Sequence, residues 1–323
     1  MPPSSPPDRC IFCESTSPVF WQTKAADGDE YNVWRCTECG SGFVWPRPTE
    51  TRLASFYLDS DDYCQNLTHM EADARYHPTS SQEAEAVLKK CGTLTGGRRL
   101  LDVGAGRGTY SCVALRQGFK VDAIEPNESA RQKFKELNGF LPQDGFLDEY
   151  VEASNKPYDV LLLSHVLEHI ADPERTAAQL YALTAPDGLV AIAVPHFGSL
   201  LSRIQGRNDM FVCPPEHLNF FSKRGLAMLL ERNGYRLRHI ETTSKVPKYR
   251  IQTVLRVRLL ASAGWRSLYL AMRLADRCRL GMTITAYFQK PAHDSAPQQM
   301  TCPRVISQKL FASPTAAPKR AVH

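Results

Sequence analysis

The 323-residue chain has no uninterrupted apolar run approaching the roughly 18–20 residues of a membrane-spanning helix, which excludes an integral helical membrane protein. Its opening residues, MPPSSPPDRC, contain no apolar signal core, so no secretory leader is expected. A cytoplasmic location with reduced thiols follows as the expectation. Acidic residues are scarce only toward the C-terminus. Residues 245–290 carry 10 Lys+Arg against 1 Asp+Glu, and residues 291–323 carry 4 against 1. Residues 1–244 carry 25 against 32, so the net charge of +5 hides an acidic body. Such a body is poorly suited to lie along a phosphate backbone, and a nucleic-acid partner is not expected. No internal repeat is visible. What remains is an ordinary globular composition, 43% hydrophobic and 23% charged, long enough for two domains or one large domain with appendages.

The residue pattern divides the chain into a Pro/Ser-rich leader (1–8), a cysteine-bearing segment (9–47) and a polar linker with an N-terminal helical cap (48–98). An alternating strand–helix region follows (99–291), with a helical insertion at about 250–280, and then a Pro/Ala/Ser/Gln-rich tail (292–323). The linker holds Tyr57, Tyr63 and Tyr76, and a capping box, Ser80-x-x-Glu83, opens its helix. Short apolar runs predict strands at Leu100–Val103, Val121–Ile124, Val160–Leu163, Leu189–Val194, Leu237–Thr242 and Met282–Phe288. Helices are predicted at Tyr110–Gln117, Ala130–Leu137, Pro173–Leu183 and Lys223–Asn233. This alternation predicts an α/β fold with a parallel sheet covered by helices on both faces.

Cys10-x-x-Cys13 and Cys36-x-x-Cys39 stand 22 residues apart. Two such turns supply the four thiolates of a tetrahedral, structural Zn²⁺ site, here closed and therefore without catalytic function. The spacer contains Val19-Phe20-Trp21 and Tyr31-Asn32-Val33-Trp34, enough for a hairpin, and Gly40 suits the turn of a zinc knuckle. Redox disulfides are the competing reading. Cys64, Cys91, Cys112, Cys213, Cys278 and Cys302 show no ligand spacing and read as inert thiols.

The run Leu100-Leu101-Asp102-Val103-Gly104-Ala105-Gly106-Arg107-Gly108 passes from a buried strand through a glycine turn into a helix. Glycines let backbone approach a ligand closely, and a helix N-terminus offers unpaired N–H groups. Seventeen residues on, Glu125 ends the second strand, where a carboxylate can accept both hydroxyls of a ribose. The D-x-G-x-G-x-G pattern resembles motif I of the class I S-adenosylmethionine-dependent methyltransferases and departs from the dinucleotide fingerprint of NAD-binding dehydrogenases. The resemblance extends to Val121-Asp122-Ala123-Ile124-Glu125-Pro126, to Asp144, and to Tyr158–His169 with its Ser164 and Val166-Leu167-Glu168-His169. It ends with Pro186-Asp187-Gly188-Leu189 and Pro195, so it covers residues 99–195 in order. It implies a Rossmann-like, doubly wound, mostly parallel sheet joined to a small N-terminal zinc ribbon with four cysteine ligands. S-adenosylmethionine is the implied cofactor, contacted by Asp102, Gly104, Gly106, Gly108, Glu125, Asp144 and Ser164.

Two segments could handle the methyl acceptor. In the similar ubiquinone-pathway O-methyltransferases the segment around His165, Glu168 and His169 supplies a divalent-metal site. Here His165 stands where that pattern has Glu, which puts the metal in doubt, and a structural role for Glu168 and His169 is the preferred reading. The second segment, Pro215-Glu216-His217-Leu218-Asn219-Phe220-Phe221-Ser222, resembles a signature of methyltransferases acting on sugars and other small metabolites. In zinc-ribbon-bearing sugar C-methyltransferases the matching Glu-His pair assists proton removal, and the resemblance implies that His217 is a base and Glu216 its orienting or assisting carboxylate. A loop-locking histidine is the alternative. Those enzymes carry a large further C-terminal domain, and with about 80 residues after Ser244 here a partial match, without that domain, is the expectation.

Residues 265–279 are expected to form an amphipathic basic helix with Arg266, Arg273 and Arg277 on one stripe and Leu268, Met272, Leu274 and Ala275 across from it. A core-packed helix covering the sheet edge is the preferred reading. An anionic substrate or peripheral membrane contact is the alternative. The function expected from all of this is methyl transfer to a polar or anionic small molecule such as a sugar, nucleotide-sugar or glycan precursor. A zinc-ribbon rRNA or tRNA methyltransferase and a binding module with a vestigial cofactor site are the competing readings. The absence of an N/D-P-P-Y/F motif after the fourth strand excludes only amide-type amino methylation of RNA.

Overall fold

The computed structural model describes residues 6–49, 52–53, 79–153, 156–244 and 270–292, with residues 79 and 80 by backbone alone. Tyr57, Tyr63, Tyr76, Cys64, Cys302, residues 1–5, most of the expected helical insertion and residues 293–323 lie outside the described residues. Two sheets organise what is described. The larger has six strands: β4 (Arg99–Val103), β5 (Lys120–Ile124), β6 (Tyr158–Ser164), β7 (Thr184–Pro195), β9 (Arg236–Thr243) and β10 (Thr283–Gln289). Their order is β5-β4-β6-β7-β10-β9. The first four pair in parallel, and β10 runs antiparallel to both its neighbours. Beyond β5 an isolated parallel bridge, Ile124 to Gln143, extends the edge by one residue.

The period-two alternation of each strand decides which helices it meets. Leu100, Val160, Leu162, Leu189, Ala191 and Tyr287 face a layer made by α1 (Thr79–Leu94) and α2 (Thr109–Arg116). Ala84, Val87, Leu88 and Cys91 anchor α1 there, so the helix expected as a cap is one layer of the sandwich. Leu101, Val103, Leu161, Leu163, Val190, Ile192 and Val194 face the other way. They meet α4 (Leu147–Ala153), α5 (Pro173–Leu183) and α7 (Lys223–Arg232). Two further helices among the described residues are α3 (Glu128–Asn138) and the short α6 (Leu200–Gln205). This is the expected α/β arrangement of the class I methyltransferases. Among the described residues, no helix is long and apolar enough to cross a membrane.

The smaller sheet has the order β1-β2-β3-β8. Strands β1 (Pro18–Ala26) and β2 (Asp29–Cys36) form the expected hairpin, and β3 (Gly42–Val44) follows the second Cys pair. The fourth strand, β8 (Asn219–Phe220), comes from the loop after Glu216-His217 and pairs Gly42 with Phe220 and Phe43 with Asn219. The ribbon is therefore continuous with the larger domain. Cys10, Phe12, Trp34, Cys36, Cys39 and Phe43 belong to the same buried cluster as Phe221, Leu226 and Leu229.

The basic helix departs from expectation where it is described, over residues 270–277. On the expected apolar face Leu274 is 62% exposed, whereas Met272 is half-buried and Ala275 is buried, so that face is only partly covered. Polar bonds also hold this segment: Asp276 accepts from Ser244 at 2.6 Å, and its carbonyl accepts from Thr242 at 3.4 Å.

Candidate active site

The four ribbon cysteines converge with Sγ–Sγ separations of 3.7 Å (Cys10–Cys39) and 3.6 Å (Cys13–Cys36). A Zn–S bond of about 2.3 Å gives a tetrahedral edge of about 3.8 Å, whereas a disulfide needs about 2.05 Å. The spacing thus fits a Zn²⁺ ion and not a pair of bridges. The bond shared by Cys10 and Cys39 lowers the pKa of Cys39 and raises that of Cys10. Gly40, at φ 78°, turns the knuckle and donates to the Cys36 carbonyl at 3.0 Å.

The glycine turn leaves β4 at its carboxyl end. Gly104, Gly106 and Gly108 all have φ between 53° and 79°, in the left-handed region. A Cβ on Gly104 would lie 2.7 Å from Val166 Cγ2, and one on Gly108 would lie 2.5 Å from the Phe134 ring. A Cβ on Gly106 would meet nothing within 4 Å. Gly106 is thus the glycine that faces open space, where a ligand can approach backbone. Its N–H donates to Glu125 Oε2 at 2.8 Å, and Asn127 N–H donates to Oε1 at 2.8 Å. Burial raises the Glu125 pKa, and these two bonds oppose the rise. An ionised carboxylate has about four acceptor positions, so two remain for a diol. Asp102 is buried beneath the turn, accepts from Ser111 at 2.7 Å and is pushed up to about 6 by burial.

Ser164 ends β6 near Tyr110, whose hydroxyl pKa burial pushes up to about 12. Asp144 is exposed and pairs at 2.6 Å with Arg131, whose same nitrogen donates to the carbonyls of Glu125 and Pro126. Tyr110 and Arg131 were not singled out from sequence. Only the position of Tyr110 directly after the glycine turn could have pointed to it.

The loops after β6 and β7 meet. His165, at φ 56°, bonds Glu168 Oε1 through Nδ1 at 3.1 Å. Glu168 is 1% exposed, and its Oε2 has no hydrogen-bond partner among the described residues. Burial works against ionisation of Glu168, but His165, His169 and His217 together lower its pKa. His169 Nδ1 lies 2.6 Å from the Glu216 carbonyl, and His217 Nδ1 lies 2.8 Å from the Phe211 carbonyl. A carbonyl only accepts, so each ring carries its proton on Nδ1 and a lone pair on Nε2. The two rings stack edge to face at 4.9 Å. Burial, with the neighbouring His169, lowers the His217 pKa. Ligating atoms of Glu168, His169 and His217 all lie within 4.8 Å of one another, and a second such group is Cys213, Glu216 and His217. The structure therefore gathers Glu168, His169 and His217, while His165 reaches the group only through Glu168. The Phe211 carbonyl holds His217 Nδ1, and the Glu216 carboxylate lies within 4.8 Å of a His217 ring nitrogen.

Comparison with known proteins agrees with the fold. A family model described as a methyltransferase domain matches residues 74–240, more than half of the chain. The chain belongs to this methyltransferase family. A ubiquinone biosynthesis O-methyltransferase of Caulobacter sp. (strain K31) is 33% identical over 105 residues, covering 30% of this chain and 40% of that protein. An enzyme of the same name from Actinobacillus pleuropneumoniae is 29% identical over 164 residues, covering 43% of this chain and 69% of that one. The match to the first of these relatives thus spans well under half of its length. The crystal structure of Burkholderia thailandensis 1,6-didemethyltoxoflavin-N1-methyltransferase, with 1,6-didemethyltoxoflavin and S-adenosylhomocysteine bound, superposes with a TM-score of 0.50 at 16% identity. It covers 84% of this chain and 99% of that one, a likeness of fold. The methyltransferase-family match begins at residue 74, so it takes in α1.

Proposed function

We propose that this protein transfers a methyl group from S-adenosylmethionine to a polar small-molecule acceptor. The observation that carries the reading is the Gly106–Glu125 bond. It joins the open glycine of the first turn to a buried carboxylate at the end of the next strand, at the carboxyl edge of parallel strands. When bound there, S-adenosylmethionine supplies an electrophilic methyl group. Gly106 would admit it, with Gly104 and Gly108 shaping the turn against Val166 and Phe134, Glu125 would hold its ribose, and Asp102, Asp144 and Ser164 would complete the site. On the acceptor side, the Nε2 lone pair of His217 takes the acceptor proton, and the ionised Glu168 stabilises the imidazolium that results. Glu216 contributes by holding His169 through its carbonyl.

The acceptor class is drawn from the site and from the relatives' names, which specify methylation at oxygen and at a ring nitrogen. Sugars, nucleotide-sugars and phenols are the first acceptors to screen. Zn²⁺ held by Cys10, Cys13, Cys36 and Cys39 has a structural role. Calorimetric titration tests the cofactor assignment. Replacing Glu125 by Ala removes two charged hydrogen bonds of about 1.5–3 kcal/mol each and weakens S-adenosylmethionine binding at least about 100-fold. Unchanged affinity would remove the cofactor site from Glu125.

A second reading is favoured by one observation, the unpartnered Oε2 of buried Glu168. A divalent cation held by Glu168, His169 and His217 would satisfy that oxygen and activate an acceptor oxygen in place of the base. Titration with Mn²⁺ separates the two: stoichiometric binding lost in Glu168→Gln supports the cation, and no binding leaves the base.

A further inference from the structure

The ribbon contributes a side chain to the arrangement of the acceptor loops. Arg47 follows β3 and reaches into the interior, where its guanidinium donates to the Leu218 carbonyl at 2.9 Å and to Asn219 Oδ1. The same Leu218 carbonyl also accepts from Val44 N–H of β3 at 3.0 Å. Asn219 then uses both hydrogens of its amide on the other loop, donating to Leu167 O at 2.9 Å and Ile170 O at 2.7 Å. In return, the Glu168 carbonyl accepts from Leu218 N–H at 2.8 Å and Asn219 N–H at 3.0 Å. Glu168 and His169 sit between Leu167 and Ile170, and His217 immediately precedes Leu218. One planar fork therefore fixes the register of the two loops that bring Glu168, His169 and His217 together.

We propose that Arg47 is a positioning residue of the acceptor site, acting through Asn219, so that the ribbon segment completes the site that the methyltransferase domain begins. The proposal rests on the methyl-transfer reading above for the meaning of that site, but its geometry stands apart from cofactor binding. Arg47 shares no hydrogen-bond partner with the glycine turn or Glu125. Lysine cannot replace it, because a single ammonium lacks the flat fork that spans a carbonyl and an amide oxygen at once. Asp172 supplies opposing charge near Arg47, so Arg47→Lys keeps the electrostatic balance and removes only the fork.

The test uses the full chain, zinc-loaded, with ¹⁵N-labelled histidine, and needs no acceptor. Imidazole nitrogen shifts report the tautomer of each ring, and His169→Gln and His217→Gln variants assign the two signals. In the wild type both rings show the Nδ1–H tautomer. In Arg47→Lys the proposal expects the two signals to become tautomer mixtures. Near-UV dichroism stays native, and S-adenosylmethionine affinity stays within about twofold, as for sites without shared partners. Should Arg47→Lys fail to fold, Asn219→Asp carries the same test, since it keeps the acceptor for Arg47 and removes both donors to the Glu168 loop. Unchanged imidazole signals in the folded variants would reduce Arg47 to a structural bond and overturn the proposal. Shifted signals accompanied by a large loss of cofactor affinity would overturn it too, because the effect would then not be confined to the acceptor loops. Failure of the wild type to bind S-adenosylmethionine would instead count against the methyl-transfer reading.

Discussion

At the scale of single residues, burial sets the chemistry of the site. Asp102 is 3% exposed, and its pKa lies near 6 against 3.8 for a free side chain. The folded state therefore binds this proton more tightly than the unfolded chain does. Its contribution to stability is fully present below about pH 4 and is lost as pH rises through about 6. An uncharged replacement removes that loss. Asp102→Asn, which still accepts from Ser111, should be more stable than the wild type at about pH 7–8 by up to about 3 kcal/mol. Urea unfolding of the cofactor-free proteins at about pH 4 and about pH 7.5 measures the difference, which should shrink at the lower pH. A difference independent of pH would place the cost of Asp102 in packing, not charge. The residue types of this site were legible because strand, glycine turn and carboxylate follow one another within 26 residues, from Leu100 to Glu125. Asn219 and Arg47 were not. Each works through a partner distant in sequence, 171 and 172 residues apart for Arg47 and about 50 for Asn219.

At the scale of elements, the contact between ribbon and α7 depends on a missing side chain. Ser222 caps α7 by accepting from Gly225 N–H at 2.9 Å and also donates to the Cys39 carbonyl at 2.6 Å. One turn in, a Cβ on Gly225 would fall 2.0 Å from Ser41 Oγ and 3.3 Å from Cys39 Sγ. The helix start is thus pressed against the knuckle, where its N-terminal dipole favours a negatively charged thiolate cluster. Gly225→Ala should cost about 2–3 kcal/mol by overpacking, despite the better helix propensity of alanine. The double variant with Ser41→Gly should recover part of this. If both single changes simply add, Ser41 is not the group that Gly225 makes room for. Five strands of the large sheet were predicted to within two residues because each is a short apolar run bounded by turns, whereas β7 begins at Thr184, five residues before the expected Leu189. The two-residue β8 left no such trace, since only its partner β3, far upstream, makes it a strand. Residues 270–277 show the opposite failure. Their amphipathic pattern was legible and Ala275 is buried as it implies, but Leu274 faces solvent.

At the scale of the whole molecule, the question is whether the ribbon unfolds by itself. A separate module would have its own core, but Phe12 packs on Phe221 at 4.9 Å and on Phe43 at 5.9 Å, within the cluster that also covers one face of the large sheet. Arg232 of α7 crosses the same boundary, donating to the Phe12 carbonyl at 3.0 Å and pairing with Glu14 at 2.8 Å. Removing any one of these elements would expose apolar surface on the others, which is the condition for a single cooperative transition. Scanning calorimetry of the zinc-loaded protein should accordingly show one transition. Metal bound by the folded state stabilises everything that unfolds with it, so chelation should move that whole transition down by about 10 °C or more. A ribbon that melted independently would give a different record: the main transition would keep its midpoint after chelation, and a small separate one would disappear. That result would confine the influence of the four cysteines to the ribbon and detach β3 from the acceptor loop.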